Sequence, residues 1–458
     1  MNALTITGAL PTAYWIALVL MTVLVLEALS KWKQSWSVPA LAVYGTAGAW
    51  YLVDIIYNGV DNYRLLFKDD IIQTAIWQLV LFLLVFRSVL PGLVNKLTRR
   101  YKNMRPDATA FDPADRSRQI ERAFRIFVGV WFVLFCLGQY NVGFQPLKTL
   151  FPTLAGYQIF MWGRPRIGGG FSFFISTCGY LYTFVCAFFG VVAVLASRKA
   201  IRIGAVIMLL ITWPNFFYGG TRHTVLAVVM PGVATYILFY RHNLIVKLVV
   251  SVILFMLINY WMLVMIAYRG EGIVHAYQEG RTESKYLTET KHLGLNMFEE
   301  LCWINYYMDA GQFEINHGKR YFAELVNIVP RSIWKNKPTI GIDYAILRGQ
   351  AGGTEESAGV FATVSTGMIG QGVTNFGQFF GPCAAGFLMA VWAAVLSILH
   401  QQRHSIFRTC LFLIGLGLTF NLGRDITLLV IFPFIFGFLV IYFYERLERK
   451  KTTPLTVQ

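Results

Sequence analysis

The chain has 458 residues, a formal net charge of +16, 56% hydrophobic residues and only 14% charged ones. Soluble globular domains carry about 25% charged residues, so the composition excludes an ordinary soluble enzyme. The basic excess does not gather into a nucleic-acid-binding face. It falls in alternate loops between apolar runs, with ten Lys and Arg from Arg87 to Arg125 and none before the first run, the pattern that orients a membrane protein.

In chain order the apolar runs lie at 12–29, 38–56, 71–90, 126–140, 171–196, 203–218, 224–240, 248–267, 376–399, 406–420 and 426–444. Most have the length of about 20 residues that crosses a hydrocarbon core, and the fourth and tenth are short. The first run has no basic n-region and no small-residue cleavage site, so it reads as a span and not as a removed signal peptide. The predicted fold class is all-α: a polytopic integral membrane protein of about 11 transmembrane helices, N-terminus out and C-terminus in. Residues 1–458 form a single transmembrane domain, and 268–375 form one large outer-face loop within it. The six cysteines show no CxxC and no metal-ligand spacing, so neither a disulfide framework nor a metal site is expected.

The inner loop at 91–125 is basic and reads as an orientation anchor at anionic lipid. Charges in the middle of the runs are nearly absent, with Glu27 and Asp54 near run ends. That scarcity counts against a pump, which needs buried charges as relays. Unusual residues collect instead in the outer turns: Lys68-Asp69-Asp70, Gly163-Arg164-Pro165-Arg166, Gly219-Gly220-Thr221-Arg222-His223 and Asn421-Leu422-Gly423-Arg424-Asp425. The Asp69-Asp70 pair reads as a helix N-cap or as an acceptor site.

Within the long loop, Met297, Leu301, Ile304 and Met308 recur at helical spacing. A second helical segment, Tyr321 to Val329, is stopped by Pro330. Both are expected to lie along the outer membrane face. The stretch 341–377 is rich in Gly and resists a plain helix. If it dips into the outer leaflet, it must be buried in protein or line a wet cavity. His275, His292 and His317 read as surface residues. Trp303, Tyr306, Tyr307, Tyr321, Phe322 and Trp334 suit either sugar stacking or a membrane interface.

Arg222 and Arg424 each follow a Gly-containing turn on the same face. Taken singly, each suits a snorkelling contact with lipid phosphate. With Arg331, Lys335, Lys337 and Arg348 from the loop they make a cationic cluster, and planar guanidinium forks fit phosphate and diphosphate oxygens. There is no D-x-D, Walker, zinc or G-x-S-x-G signature, so no cofactor is expected.

Three segments carry a family resemblance: Gly220-Thr221-Arg222; Ile328-Val329-Pro330-Arg331-Ser332-Ile333-Trp334-Lys335-Asn336-Lys337-Pro338; and Gly370-Gln371-Gly372-Val373-Thr374-Asn375-Phe376-Gly377. The chain resembles, over roughly residues 200–430, the bacterial O-antigen or exopolysaccharide repeat-unit polymerases of the Wzy type. The resemblance implies a glycosyltransferase of the bacterial cytoplasmic (inner) membrane with its active site on the periplasmic face. Its substrate would be an undecaprenyl-pyrophosphate-linked oligosaccharide, and its partners a chain-length regulator and a flippase of the same pathway. Arg222, Arg424 and Arg331 are expected to stabilise the diphosphate leaving group. Lys337, Arg348, Trp334 and Asn375 are expected to bind substrate. Asp343, Glu355, Glu356 and His292 stand as equal candidates for a base. Gln371 departs from the family, in which an acidic residue is common at that place. An O-antigen-ligase-like transferase, a glycolipid flippase or exporter, and a scaffold of a secretion complex are the alternatives.

Overall fold

The computed structural model describes residues 10–104, 113–152, 161–162, 170–219, 222–240, 243–267, 275, 278–280, 296–326, 329, 333–334, 336–338, 342–349, 364–402 and 405–452. Each of the eleven apolar runs lies on a helix: α1 (Thr12–Ser30), α2 (Ser37–Asn58, with a π-helical turn at Gly48–Leu52), α4 (Asp69–Met104), α5 (Pro113–Asn141), α7 (Gly170–Leu195), α8 (Lys199–Gly219), α9 (Arg222–Phe239), α10 (Leu244–Ala267), α14 (Gly367–Gln401), α15 (Ile406–Leu422) and α16 (Leu428–Thr452). Short helices α3 (Val60–Leu66), α6 (Pro146–Leu150), α11 (Met297–Asp309), α12 (Lys319–Val326) and α13 (Ile342–Leu347) lie between them. Among the described residues, six helices are long and apolar enough to cross a membrane. The protein is thus an all-helical membrane protein.

Side-chain contacts fix the directions of the helices around the later site. α14 and α15 are antiparallel, since Trp392 donates to Thr419 Oγ1 at 2.9 Å while Leu396 abuts Gly415. α15 and α16 are antiparallel, with Phe407 against Tyr444 and Gly415 against Phe434. α16 runs parallel to α7, pairing Phe432 with Tyr180 and Gly437 with Phe184. α8 runs antiparallel to α7, with Tyr182 near Phe216 at one end and Phe189 near Gly204 through Phe124 at the other. The turns α8–α9 and α15–α16 therefore share one end of the bundle. Arg222, which opens α9, is at that end, and its side chain lies outside the described ones.

Two elements differ from the sequence expectation. α11 does not lie along a surface. Met297, Phe298, Leu301, Cys302, Ile304 and Asn305 are buried, and the helix packs against α2, α4 and α14. Its polar groups find partners inside: Asn305 exchanges amide hydrogen bonds with Gln78 of α4 at 2.8 and 2.9 Å, and Phe298 N donates to Asp54 at 2.9 Å. Partnered in this way, a helix with polar groups on its inner face is accommodated in a bundle interior.

The second difference is α14, whose helix doubles back. Gly377 has φ +81°, a left-handed conformation open to Gly. Gly372 and Gly381 on either side of it touch backbone to backbone: a Cβ on Gly372 would sit 2.2 Å from the Gly381 carbonyl oxygen. In a straight helix residues that far apart would be separated by about 13 Å. The first limb, 367–376, therefore returns along the second, 378–401. Its start reaches into the bundle, where Met368 N donates to Gly423 O at 3.0 Å and Ile369 N to Tyr51 Oη at 3.0 Å.

Candidate functional site

The first limb of α14 walls a cluster of polar side chains, a chamber separate from the buried Asp54, Gln78 and Asn305. Asn375, fully buried, accepts at Oδ1 from Arg320 N (3.2 Å) and Tyr321 N (3.3 Å), and its amide donates to Gln371 O at 2.7 Å. It thereby ties the first turn of α12 to the limb, satisfying two of the donors that every helix start leaves open. The preceding turn is tied as well: Asn316 N donates to Thr374 O at 2.9 Å and Gly318 N to Asn375 O at 3.3 Å. Gln371 fixes the other wall. Its Nε2 donates to Ile426 O at 3.2 Å and its Oε1 accepts from Ile426 N at 2.8 Å.

The two-way pairing gives a physical reason for an amide at this place, because a carboxylate cannot donate to the Ile426 carbonyl. Gln371→Glu is expected to lose that bond and to set a charge against a carbonyl dipole. A cost of about 1–3 kcal/mol follows for a buried unsatisfied group. The measurement is the thermal midpoint of the detergent-solubilised protein, and an unchanged midpoint would contradict the pairing.

Into this frame project Arg320 and Glu324 of α12, four residues apart and therefore on one helix face. From the α15–α16 turn come Arg424, Asp425 and Thr427. Asp425 Oδ1 accepts from Thr366 N at 3.1 Å and from Thr366 Oγ1 at 3.2 Å. Glu324 is 6% exposed, and its Oε2 accepts from Thr427 Oγ1 at 2.6 Å. Burial pushes the Glu324 carboxyl up to about 7. The Asp425 charge adds to the rise, while Thr427 and Arg320 oppose it. Burial also raises Asp425 above the usual carboxylate range, against the pull of Arg320, Arg424 and the Thr366 amide.

Arg320 is 6% exposed, yet its Nη1 has no hydrogen-bond partner among the described residues. The neighbouring Tyr321 hydroxyl is in the same condition, its ring stacked on Phe376 at 6.1 Å. A buried guanidinium nitrogen without a partner costs several kcal/mol. The Arg320 charge acts on the Glu324 and Asp425 carboxyls, whose protonated forms burial favours, and the Arg424 charge acts on Asp425 too. The chamber is therefore suited to an anion that brings its own oxygens.

The sequence-derived candidates divide in three ways. Arg424 lies at the chamber, and its charge acts on Asp425. Asn375 builds the chamber's frame with its whole amide. Arg348 is engaged elsewhere: it forks onto Glu300 at 3.2 and 3.3 Å, stands 3.7 Å from Glu299 and lies over Trp303 at 4.5 Å. Tyr344 Oη donates to the same Glu300 at 2.5 Å. Two carboxylates thus oppose the Arg348 charge, and the group serves to join α11 to α13. Lys337 is buried and donates to Val329 O at 2.9 Å, bridging the proline-bracketed run. Trp334 is half-exposed and meets Phe322 of α12 edge-on at 6.3 Å. Asp343 accepts from Asn316 Nδ2 at 3.2 Å, beside the turn that leads into α12. Arg331, Glu355, Glu356, His292 and Lys335 lie outside the described residues.

Arg320, Glu324 and Asp425 were not singled out in the sequence. The available signal was an Arg and a Glu at i, i+4 on a short helix of the long loop, together with an Asp directly after Arg424 in a turn between apolar runs. No family model, curated protein or solved structure matches the chain.

Proposed function

We propose that this protein is a membrane glycosyltransferase that polymerises undecaprenyl-diphosphate-linked repeat units on the outer face of the bacterial cytoplasmic membrane. In this reading eleven helices cross the bilayer, with the N-terminus outside, and the chamber opens to the periplasm. The observation that carries the proposal is the buried guanidinium of Arg320 at the doubled-back limb of α14, its Nη1 without a hydrogen-bond partner among the described residues, with Arg424 acting on the same Asp425. The distribution of basic residues and the three segments similar to the polymerase family support the same reading.

The terminal hydroxyl of one lipid-linked repeat attacks the anomeric carbon of another and gives up its proton to a base. The bond from that carbon to the diphosphate breaks, and undecaprenyl diphosphate departs with the electron pair. Charge grows on the diphosphate as it leaves, so preorganised guanidinium groups stabilise the transition state more than the ground state. In a host that makes its glycan through this protein, Arg424→Ala is expected to replace the polysaccharide ladder by single repeat units at an unchanged protein level. An unchanged ladder would sink the proposal. Normal transfer of single units to a fixed acceptor in the wild type, with no ladder, would favour a ligase-like enzyme instead.

A further inference from the structure

Resting on the diphosphate reading of the chamber, we infer that capture of the diphosphate is coupled to uptake of a proton by Glu324, so that this carboxyl gates access to Arg320. The argument is first geometric. Glu324 lies one helical turn from Arg320 on the same face of α12 and is buried. Asp425 faces the same guanidinium from the α15–α16 turn. An arriving diphosphate must share Arg320 with both carboxyls. Its own charge penalises a second anion at that spot, and the cheapest relief is a proton on one of the two carboxyls.

Glu324 is the carboxyl placed to take it. The groups that face it are Arg320 and Tyr321 from α12, Asp425, Thr427 and the Leu428 amide from the turn into α16, and Tyr180 from α7. Thr427 holds it by a hydroxyl, which can rotate to accept once the carboxyl carries a proton. Asp425 is held by both the backbone amide and the hydroxyl of Thr366 and carries the pull of Arg424 as well as of Arg320, which favours its charged form. Burial has already brought Glu324 to about 7, so a modest further rise on anion binding protonates it at neutral pH. A proton held there also leaves one negative charge fewer beside the departing diphosphate.

The sign follows from linkage. Below pH 7 Glu324 is already protonated in the free protein, and affinity for the anion is flat. Above pH 7 each bound anion brings a proton with it, and affinity falls by up to about tenfold per pH unit. The test uses the full-length protein in detergent and a soluble farnesyl diphosphate–glucose diester, whose phosphates do not titrate between pH 6 and 8.5. Wild-type affinity is expected to change less than about twofold from pH 6 to 7 and to weaken by up to about fivefold from pH 7 to 8. Glu324→Gln, which keeps an oxygen acceptor for Thr427, is expected to bind at pH 8 as tightly as wild type at pH 6 and to show no slope. Binding by the wild type that is level up to pH 8.5, or a Gln variant that retains the wild-type slope, would overturn the proton coupling while leaving the diphosphate site standing. No binding by the wild type at any pH would remove the site itself and the coupling with it. The wild-type profile needs no variant to fold.

Discussion

Replacing Arg320 by Met is expected to reduce polymerisation by a factor on the order of 10²–10³ while costing the fold less than breaking a closed ion pair would. The loss follows from removing one preorganised donor aimed at developing charge, which typically costs that much in rate. The second half of the expectation separates a ligand-binding arginine from a structural one. A structural buried arginine is held by closed ion pairs, and breaking such a pair costs about 3–5 kcal/mol. Arg348 is of that kind, forked onto Glu300 and stacked on Trp303.

Arg320 is of the other kind. Its Nη1 is buried without a hydrogen-bond partner among the described residues, a desolvation cost that a Met side chain of similar reach would lift and that offsets part of the attraction to Asp425 and Glu324 it gives up. The backbone contacts that hold this turn run through Arg320 N and Tyr321 N to Asn375 and survive the substitution. The check is paired: glycan ladders for activity, and a thermal midpoint in detergent for stability. A fall in the midpoint as large as that of Arg348→Met would make Arg320 structural and contradict the site.

The second large effect concerns the doubled-back limb. Gly372→Ala is expected to destabilise the protein by about 3 kcal/mol or more, because its Cβ would sit 2.2 Å from the Gly381 carbonyl oxygen and 2.8 Å from the carbonyl carbon. Neither is the far end of a side chain that can swing away. Overpacking in a well-packed core already costs about 1–3 kcal/mol, and here the clash is with backbone that also carries the chamber. Gly381→Ala is expected to act alike, since its Cβ would meet Val373 N and Cα at 2.4 Å. Gly45→Ala and Gly129→Ala are the controls: nothing lies within 4 Å of either added Cβ, and Ala is the better helix former. The measurement is the midpoint of thermal unfolding, with accumulation in the membrane as a second readout. If Gly372→Ala behaves like Gly129→Ala, the limb does not return along the second half of α14 as described.

Much of the helical layout was legible because hydropathy is a local signal. A run of apolar residues of the right length forms a helix wherever it stands, and each of the eleven runs lies on one. Interior features of the loop were not legible, for two physical reasons. First, α11 carries Glu299, Glu300 and Asn305 among its apolar residues, which reads as a surface helix. The partners that let it be buried, Gln78, Arg348 and Tyr344, are distant in sequence. Second, a Gly-rich stretch announces close backbone approach but not the direction of the chain, and the reversal at Gly377 is decided by contacts with α2, α11 and the α15–α16 turn. The cationic site was legible in part. Arg424 was found by its turn, whereas Arg320 was hidden in a helix that looked ordinary. Lys337 and Arg348 looked like free cations because the groups that occupy them, a backbone carbonyl and a pair of carboxylates, leave no mark near them in the chain. Gln371, a departure from the resembling family, has its reason in the two bonds to Ile426.

In the proposed function the chamber at Arg320 and Arg424 holds the diphosphate that leaves during glycan transfer. The most direct test is to incorporate the purified protein into vesicles with undecaprenyl-diphosphate-linked repeat units from its own host and to measure the release of undecaprenyl diphosphate alongside chain length. The expected result is release of one undecaprenyl diphosphate for each repeat added by the wild type, and little release by folded Arg320→Met. Folded wild-type protein that binds or moves the glycolipid without releasing undecaprenyl diphosphate, or an Arg320→Met variant that releases it at the wild-type rate, would contradict the claim.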